Sequence, residues 1–179
     1  GEGLDGLGGS RPAVEARELV RMMVDRALAV WDGLAAQNHS GLNRHQVFTL
    51  ASIVEKESGA AQERPMVAAV FLNRLRQGMR LQSDPTVIYG LSDFDGNLTR
   101  SQLRRPAPYN TYTIDGLPPG PICSPGEESL RAVLAPAAVD YLYFVSKNDG
   151  THYFSRTLRE HNRAVRKYQR GRRSGGASE

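Results

Sequence analysis

Apolar residues recur with the period of an α-helix in three successive segments of the N-terminal half of the chain. The clearest stripe has the spacing i, i+3, i+4 and i+7 and consists of Val47, Leu50, Ala51 and Val54. Gly59 follows this segment and is predicted to cap its helix. The pattern therefore predicts three helices before any strand, over residues 11–34, 43–58 and 65–78.

The middle of the chain lacks such a period. Residues 81–125 contain Ser-Asp-Pro, Asp-Gly-Asn, Arg-Pro-Ala-Pro and Leu-Pro-Pro-Gly-Pro, all of which are turn sequences. We therefore expect turns here rather than regular elements. Because a loop-rich span of this length usually has a function, we predict that it lines a binding cleft.

The C-terminal part predicts a short helix, a hairpin and a final helix. Residues 124–127, Ser-Pro-Gly-Glu, have the form of a capping box and should open a helix that Pro136 stops. Aromatic and β-branched residues at 141–146 and 151–155 flank Asn-Asp-Gly, which indicates a β-hairpin. A second capping box, at residues 157–160, should open a helix that ends near residue 169.

These elements predict an α+β fold. We expect a mainly helical, lysozyme-like core with a small β-hairpin sheet and a long loop-rich insertion that lines the cleft. The length of 179 residues suits one domain with its own hydrophobic core. Residues 11–169 are assigned to this domain, whereas residues 1–10 and 170–179 are predicted to be disordered tails.

Charge and composition exclude several classes of chemistry. The formal net charge is +4, and the basic run in the last predicted helix could bind an anionic polymer but is more often a solvated face. The four histidines lack metal-ligand spacing, and neither a phosphate-binding glycine loop nor a nucleophile elbow is present. No cofactor is therefore expected, and the single Cys123 is predicted to be a packed thiol. No apolar stretch is long enough to cross a bilayer, and the N-terminus does not resemble a signal peptide.

Two carboxylates, Glu55 and Glu57, end the second predicted helix. Residues two apart on a helix point to nearly opposite sides, so these two cannot act as a facing acid and base. Glu57 lies one turn beyond Ile53 and Val54, in the more apolar setting, and the negative end of the helix dipole would raise its pKa. A general acid needs such a shift. The alternative is that Glu-Lys-Glu forms an ordinary surface turn.

Five motifs in order along the chain carry a resemblance that favours the catalytic interpretation. They are Leu-Ala-Ser-Ile-Val-Glu-Lys-Glu at 50–57, Val-Phe-Leu-Asn-Arg-Leu at 70–75, Gly-Met-Arg-Leu-Gln-Ser-Asp-Pro-Thr-Val-Ile-Tyr-Gly at 78–90, Tyr-Asn-Thr-Tyr at 109–112 and Gly-Leu-Pro-Pro-Gly at 116–120. Together they resemble the endolytic murein transglycosylases of the YceG-like (MltG) family. The Glu-Ser pair at 57–58 also resembles goose-lysozyme-like transglycosylases. The sequence departs from the family slightly, in the Cys-Ser at 123–124 before Pro-Gly.

The resemblance implies a catalytic domain within residues 11–169, with the motifs in residues 43–169, and assigns catalysis to Glu57. It implies cleavage of peptidoglycan glycan strands with formation of a 1,6-anhydro-N-acetylmuramic acid end, and no cofactor. Longer relatives are expected to carry a membrane anchor and a small LysM-like domain, with the catalytic domain facing the cell wall. Cell-wall synthesis proteins are then candidate partners. A catalytically idle glycan-binding domain and, less favoured, a basic nucleic-acid-binding module are the alternatives.

Amide and hydroxyl groups together with aromatic faces are the usual means of holding an oligosaccharide. Asp84 could equally cap a turn, Tyr112 could be a core aromatic, and Asn73 and Arg74 could line the cleft or make structural bonds. The candidate substrate-binding residues are Gln82, Ser83, Asp84, Tyr89, Tyr109, Asn110, Thr111 and Tyr112.

Overall fold

The computed structural model describes residues 15–169. The predicted tails at 1–10 and 170–179, and the first four residues of the first predicted helix, lie outside this range. The chain divides between Gly33 and Leu34 into two compact units. The first contains most of helix α1, Ala16–Leu34, which confirms the predicted helix, although apolar residues such as Leu19, Val20 and Met23 are exposed.

Three helices make the core of the second unit. They are α2 (Arg44–Glu57), α3 (Arg64–Arg76) and α6 (Glu127–Leu134), and they pack against one another. Asn43 caps α2 in a reciprocal capping box with Gln46, which satisfies two backbone N–H groups at the start of the helix. The predicted stripe on α2 is confirmed, because all four of its apolar residues are fully buried.

Two predicted helix caps are wrong. Gly59 does not adopt the left-handed conformation of a C-cap, and the C-cap of α2 is instead Ser58, which is extended. A Cβ at Gly59 would lie 2.9 Å from the carbonyl oxygen of Gly150, so this glycine serves close packing of backbone on backbone. The N-cap of α6 is Gly126 without a side-chain cap, not Ser124. Glu55 of α2 accepts the Gly126 amide and so replaces the expected local cap.

The loop-rich middle contains two short helices that the sequence pattern did not predict. They are α4 (Asp84–Tyr89), which has a proline in its first turn, and α5 (Arg100–Arg104), which is capped by a Thr99–Gln102 capping box. These helices have six and five residues, which are too few to show a hydrophobic period. Their first-turn proline and capping box are the local sequence signals that indicate them. The remainder of this span is turns and loops, as predicted.

The predicted hairpin and final helix are confirmed. Strands β1 (Tyr143–Ser146) and β2 (His152–Ser155) pair in antiparallel register, with Phe144 opposite Phe154. Helix α7 (Leu158–Gln169) follows a capping box between Thr157 and Glu160 and packs on both strands. Within residues 15–169, seven α-helices and a single two-stranded sheet confirm the α+β class. Within residues 15–169 no helix is long and apolar enough to cross a membrane.

Candidate active site

Glu57 is the last residue of α2, and its carboxylate accepts a 2.6 Å hydrogen bond from the hydroxyl of Ser83. Loss of hydration on burial raises the pKa of Glu57, and the negative charge of Asp84 raises it further. The Ser83 hydrogen bond and the basic groups of His152 and Arg74 act in the opposite direction. The net shift is upward, so Glu57 holds a proton to higher pH than an exposed glutamate does.

Buried hydrogen bonds hold Ser83, whose hydroxyl donates to Glu57, in place. The amide of Ser83 donates to the hydroxyl of Thr111 at 2.9 Å, and Thr86 shares a 2.8 Å hydrogen bond with the same hydroxyl. All three side chains are buried. Gln82, just before Ser83, has a φ of +50°, a conformation uncommon for a residue with a side chain, and its amide donates to the Thr111 carbonyl. Thr111 thus positions Ser83, and Ser83 positions Glu57.

An open cleft of about 360 Å³ exposes this carboxylate. Its walls come from α2, α3, the start of α4, the loop at Tyr112, β1 and α7, so distant parts of the chain meet here. The hydroxyl of Tyr112 donates to Asp84 at 2.6 Å, and burial together with this carboxylate raises the pKa of Tyr112. The lining residues are Glu57, Arg74, Leu81, Gln82, Asp84, Tyr112, Phe144 and His161.

Arg74 and His161 bring two basic side chains to the cleft. Arg74 is buried, and its guanidinium donates to the carbonyls of Leu142 and Leu81, both at 2.7 Å. The His161 ring stacks on Tyr143 at 5.3 Å, and its buried Nδ1 has no hydrogen-bond partner within the described residues. Burial and, to a lesser degree, Arg74 lower the pKa of His161, so the ring is neutral at neutral pH.

Sequence reasoning missed Phe144 and His161 as cleft residues. Both lie in elements that were predicted correctly, but their sequence positions carried no signal of proximity to Glu57. The sequence did not decide whether Arg74 lines the cleft or makes structural bonds. In the structure it lines the cleft and also donates to the Leu142 carbonyl.

Three of the predicted substrate-binding residues line the cleft directly, namely Gln82, Asp84 and Tyr112. Ser83 contacts Glu57 but is fully buried, and Thr111 is buried behind it.

Asn110 is 1% exposed and uses its side chain inside the fold. Its Nδ2 lies within 3.1 Å of the carbonyls of Gln102, Leu103 and Arg105, and its Oδ1 accepts the amide of Tyr112. These bonds tie the end of α5 to the cleft loop, which favours a structural role for Asn110.

Tyr89 and Tyr109 lie outside the Glu57 cleft and form an aromatic pair whose ring centres are 4.9 Å apart. Tyr89 is 52% exposed, at the end of α4, whereas Tyr109 is half-buried.

Glu55 has the opposite environment from Glu57. Its carboxylate accepts the Ser129 hydroxyl at 2.5 Å and the Gly126 amide at 3.2 Å, and it lies 3.5 Å from the Arg64 guanidinium. The Ser129 bond is the main reason that the pKa of Glu55 is lowered. This carboxylate holds α6 against α2.

No cluster of His, Cys, Asp or Glu within residues 15–169 could bind a metal.

Residues 10–167 match the sequence model of the YceG-like family. The chain belongs to this family. Relatives from Bacillus subtilis and Streptococcus pneumoniae bear the name endolytic murein transglycosylase. The Bacillus subtilis protein is 44% identical over 69% of this chain and 34% of its own length. The Streptococcus pneumoniae protein is 29% identical over 86% of this chain and 30% of its own length. This YceG-like chain thus spans about a third of the length of the curated relatives it matches.

The YceG-like fold is also found in a solved structure. A YceG-like protein from Listeria monocytogenes superposes with a TM-score of 0.70 at 42% identity, over 82% of this chain and 46% of the other. The resemblance inferred from the five sequence motifs is therefore confirmed at the level of the family.

Proposed function

We propose that this chain is the catalytic domain of an endolytic peptidoglycan lytic transglycosylase. It cleaves the bond between N-acetylmuramic acid and N-acetylglucosamine within a glycan strand and leaves a 1,6-anhydro end. The supporting observation is a glutamic acid with a raised pKa, held by Ser83 at an open polar cleft. Membership of the YceG-like family and the names of the relatives supply the substrate class.

In the proposed reaction Glu57 acts twice. The protonated carboxyl donates to the glycosidic oxygen as the bond from that oxygen to C1 of the muramic residue breaks. The C6 hydroxyl of the same sugar then attacks C1, and the Glu57 carboxylate takes the hydroxyl proton. Because the nucleophile belongs to the substrate, attack is intramolecular and benefits from a high effective concentration. Glu57 ends protonated, ready for the next turnover.

The surroundings of Glu57 suit both protonation states. Burial and Asp84 favour the acid that donates, whereas the Ser83 hydroxyl favours the carboxylate that forms afterwards. A group that must give up a proton and regain it works best when neither state is strongly favoured. We propose that Gln82, Asp84 and Tyr112 contact the sugar and that Ser83 and Thr111 position the acid.

The first test replaces the acid by its amide. Glu57→Gln is nearly isosteric but cannot transfer the proton, so we expect turnover of purified glycan strands to fall at least about 100-fold. Burial raises the pKa of Glu57 in the folded state above its value in the unfolded state. The folded protein therefore loses stability as the pH rises from the unfolded pKa through the folded pKa. The variant should therefore melt at or above the wild-type temperature at neutral pH.

Glu55→Gln is the matched control, because it makes the same change two residues away on the same helix. It should retain substantial turnover, since Glu55 faces α6 rather than the cleft. An inactive Glu55→Gln beside an active Glu57→Gln would overturn the assignment. Unaltered strand binding with no turnover in the wild type would instead favour an idle glycan-binding domain.

Asp84 gives the cleft a second carboxylate and so makes a hydrolase the second candidate function. A hydrolase would use Asp84 to activate or replace the attacking water. Reaction in heavy-oxygen water separates the two, because an anhydro end contains no oxygen from solvent. We expect anhydro products without label. Labelled reducing ends as the main product would favour the hydrolase.

By the same family resemblance, we propose that the longer protein is anchored in the cytoplasmic membrane with this domain on the cell-wall side. Glycan strands are its proposed substrate and cell-wall synthesis proteins are its candidate partners. Fractionation of cells that express the full-length protein, followed by protease treatment of intact spheroplasts, tests this placement. A protected cytoplasmic domain would contradict it.

A further inference from the structure

A second groove adjoins the cleft and contains a concentration of positive charge. It has a volume of about 460 Å³ and shares Tyr112 with the Glu57 cleft. The Tyr112 hydroxyl points to Asp84 in the cleft, and its carbonyl accepts the Arg80 guanidinium at 3.1 Å. The groove is lined by Arg80, Arg100, Leu103, Arg104, Tyr112 and Thr113.

The charge in this groove is only partly compensated within the described residues. Arg100 and Arg104 are one turn apart on α5 and are exposed, and their side chains make no hydrogen bond or ion pair within the described residues. Like charges at this spacing destabilise a helix. Arg80 pairs at 2.9 Å with Asp115, but that carboxylate is 81% exposed and the pair is weak. The groove thus carries three cations against one exposed anion.

The fold nevertheless holds α5 firmly in this place. The helix has only five residues, too few to be stable alone. Its start is fixed by the Thr99–Gln102 capping box, and its end is fixed by Asn110, which donates to the carbonyls of Gln102 and Leu103 in the helix and of Arg105 just after it. These interactions present two arginines beside the cleft at a cost in charge repulsion, which is the arrangement expected of an anion-binding surface.

We propose that this groove binds the acidic peptide that peptidoglycan carries on its muramic acid. The inference rests on the proposed function. The glycan backbone is neutral once the lactyl group is amide-linked, so the carboxylates of such a substrate lie on the peptide. The peptide leaves from the sugar whose C1 reacts at Glu57, and the groove shares a wall with that cleft. Guanidinium groups bind carboxylates by paired hydrogen bonds, and Leu103 offers an apolar contact for alanyl side chains.

The test compares glycan strands of equal length with and without their peptides. The double variant Arg100→Gln, Arg104→Gln should lower the ratio of kcat/KM on peptide-bearing strands to kcat/KM on bare strands about tenfold, as expected for two partly exposed charge pairs. The control Arg159→Gln, Arg166→Gln removes the same charge from α7 and should leave the ratio unchanged. Arg100→Lys, Arg104→Lys should retain part of the preference, because charge remains but paired hydrogen bonding is lost.

Equilibrium binding of the same strands is measured in the Glu57→Gln background, so that failure of the catalytic proposal does not prevent the comparison. Loss of binding to peptide-bearing strands alone would support the groove. Equal losses on both kinds of strand, or no loss on either, would overturn it. A variant whose strand preference is intact, but which no longer binds phosphatidylglycerol vesicles, would assign the charge to a membrane surface and would also overturn it.

Discussion

Replacement of Asn110 by alanine tests whether the loop at residues 109–112 serves the fold or the substrate. In the structure the Asn110 amide bonds the carbonyls of Gln102, Leu103 and Arg105 and accepts the amide of Tyr112. The side chain is 1% exposed, so water cannot replace these partners without a local opening. Asn110→Ala therefore removes the link between α5 and the cleft loop and takes one hydrogen-bond partner from each of these part-buried backbone groups.

The magnitude follows from these contacts. Two or three hydrogen bonds at about 1 kcal/mol each, together with the cost of part-buried backbone groups that lose this partner, give a loss of roughly 2–4 kcal/mol in the free energy of unfolding. For a chain of this size, each kcal/mol lowers the melting temperature by about 2–4 °C. We therefore expect a drop of roughly 5–15 °C, measured by circular dichroism or differential scanning calorimetry. The kcat/KM per folded molecule should fall less than about tenfold.

The matched control is Asn97→Ala, since Asn97 is exposed and only its backbone amide makes a hydrogen bond within the described residues. Its melting temperature should stay close to that of the wild type. The reasoning would be refuted by an Asn110→Ala protein with a normal melting temperature and a 10- to 100-fold lower kcat/KM. That pattern is the signature of a side chain that binds substrate rather than backbone.

Three further predictions concern the acid and the backbone beside it. Ser83→Ala removes a hydrogen bond that lowers the pKa of Glu57, so the alkaline limb of the pH profile of kcat/KM should move to higher pH. Asp84→Asn removes a charge that raises this pKa, so the same limb should move to lower pH; a shift in one direction for both variants would exclude Glu57 as the titrating acid. Gly59→Ala should lower the free energy of unfolding in urea by about 1–3 kcal/mol, because its Cβ would lie 2.9 Å from a backbone oxygen. The control Gly33→Ala, in open space within a helix, should raise it by about 0.5–1 kcal/mol. Equal stabilities of the two variants would show that the close approach of Gly59 to Gly150 does not matter for the fold.

Local sequence predicted several elements that are set by residues three or four positions apart or by a short turn. The apolar stripe of α2, the capping box that opens α7 and the Asn-Asp-Gly turn of the hairpin are of this kind, and the structure confirms all three elements. The same short-range pattern singled out Glu57, at the end of an apolar helix, as the candidate acid. Its role remains a proposal, supported by its position at the cleft and the direction of its pKa shift.

Short elements and caps were less predictable, because the same short sequence is compatible both with a local helix cap and with a different role in a tertiary contact. Gly59 has the composition of a helix C-cap, yet its lack of a side chain is used for contact with the hairpin turn. Ser124 has the spacing of a capping residue, yet a carboxylate 71 residues earlier in the chain accepts the helix amide at Gly126. A local preference worth about 1 kcal/mol is readily overridden by such tertiary contacts.

The sequence by itself determined the family, the helices with a clear period and the most favoured acid. Only the tertiary structure decided what surrounds that acid. Ser83 is 26 residues from Glu57, and His161 lies on the last helix, so no periodicity relates them. Likewise Asn110 looked like a loop residue free to bind sugar until its partners were known. Hydrogen bonds and burial depend on distance in space, and the chain encodes that distance only through the packing of the whole core.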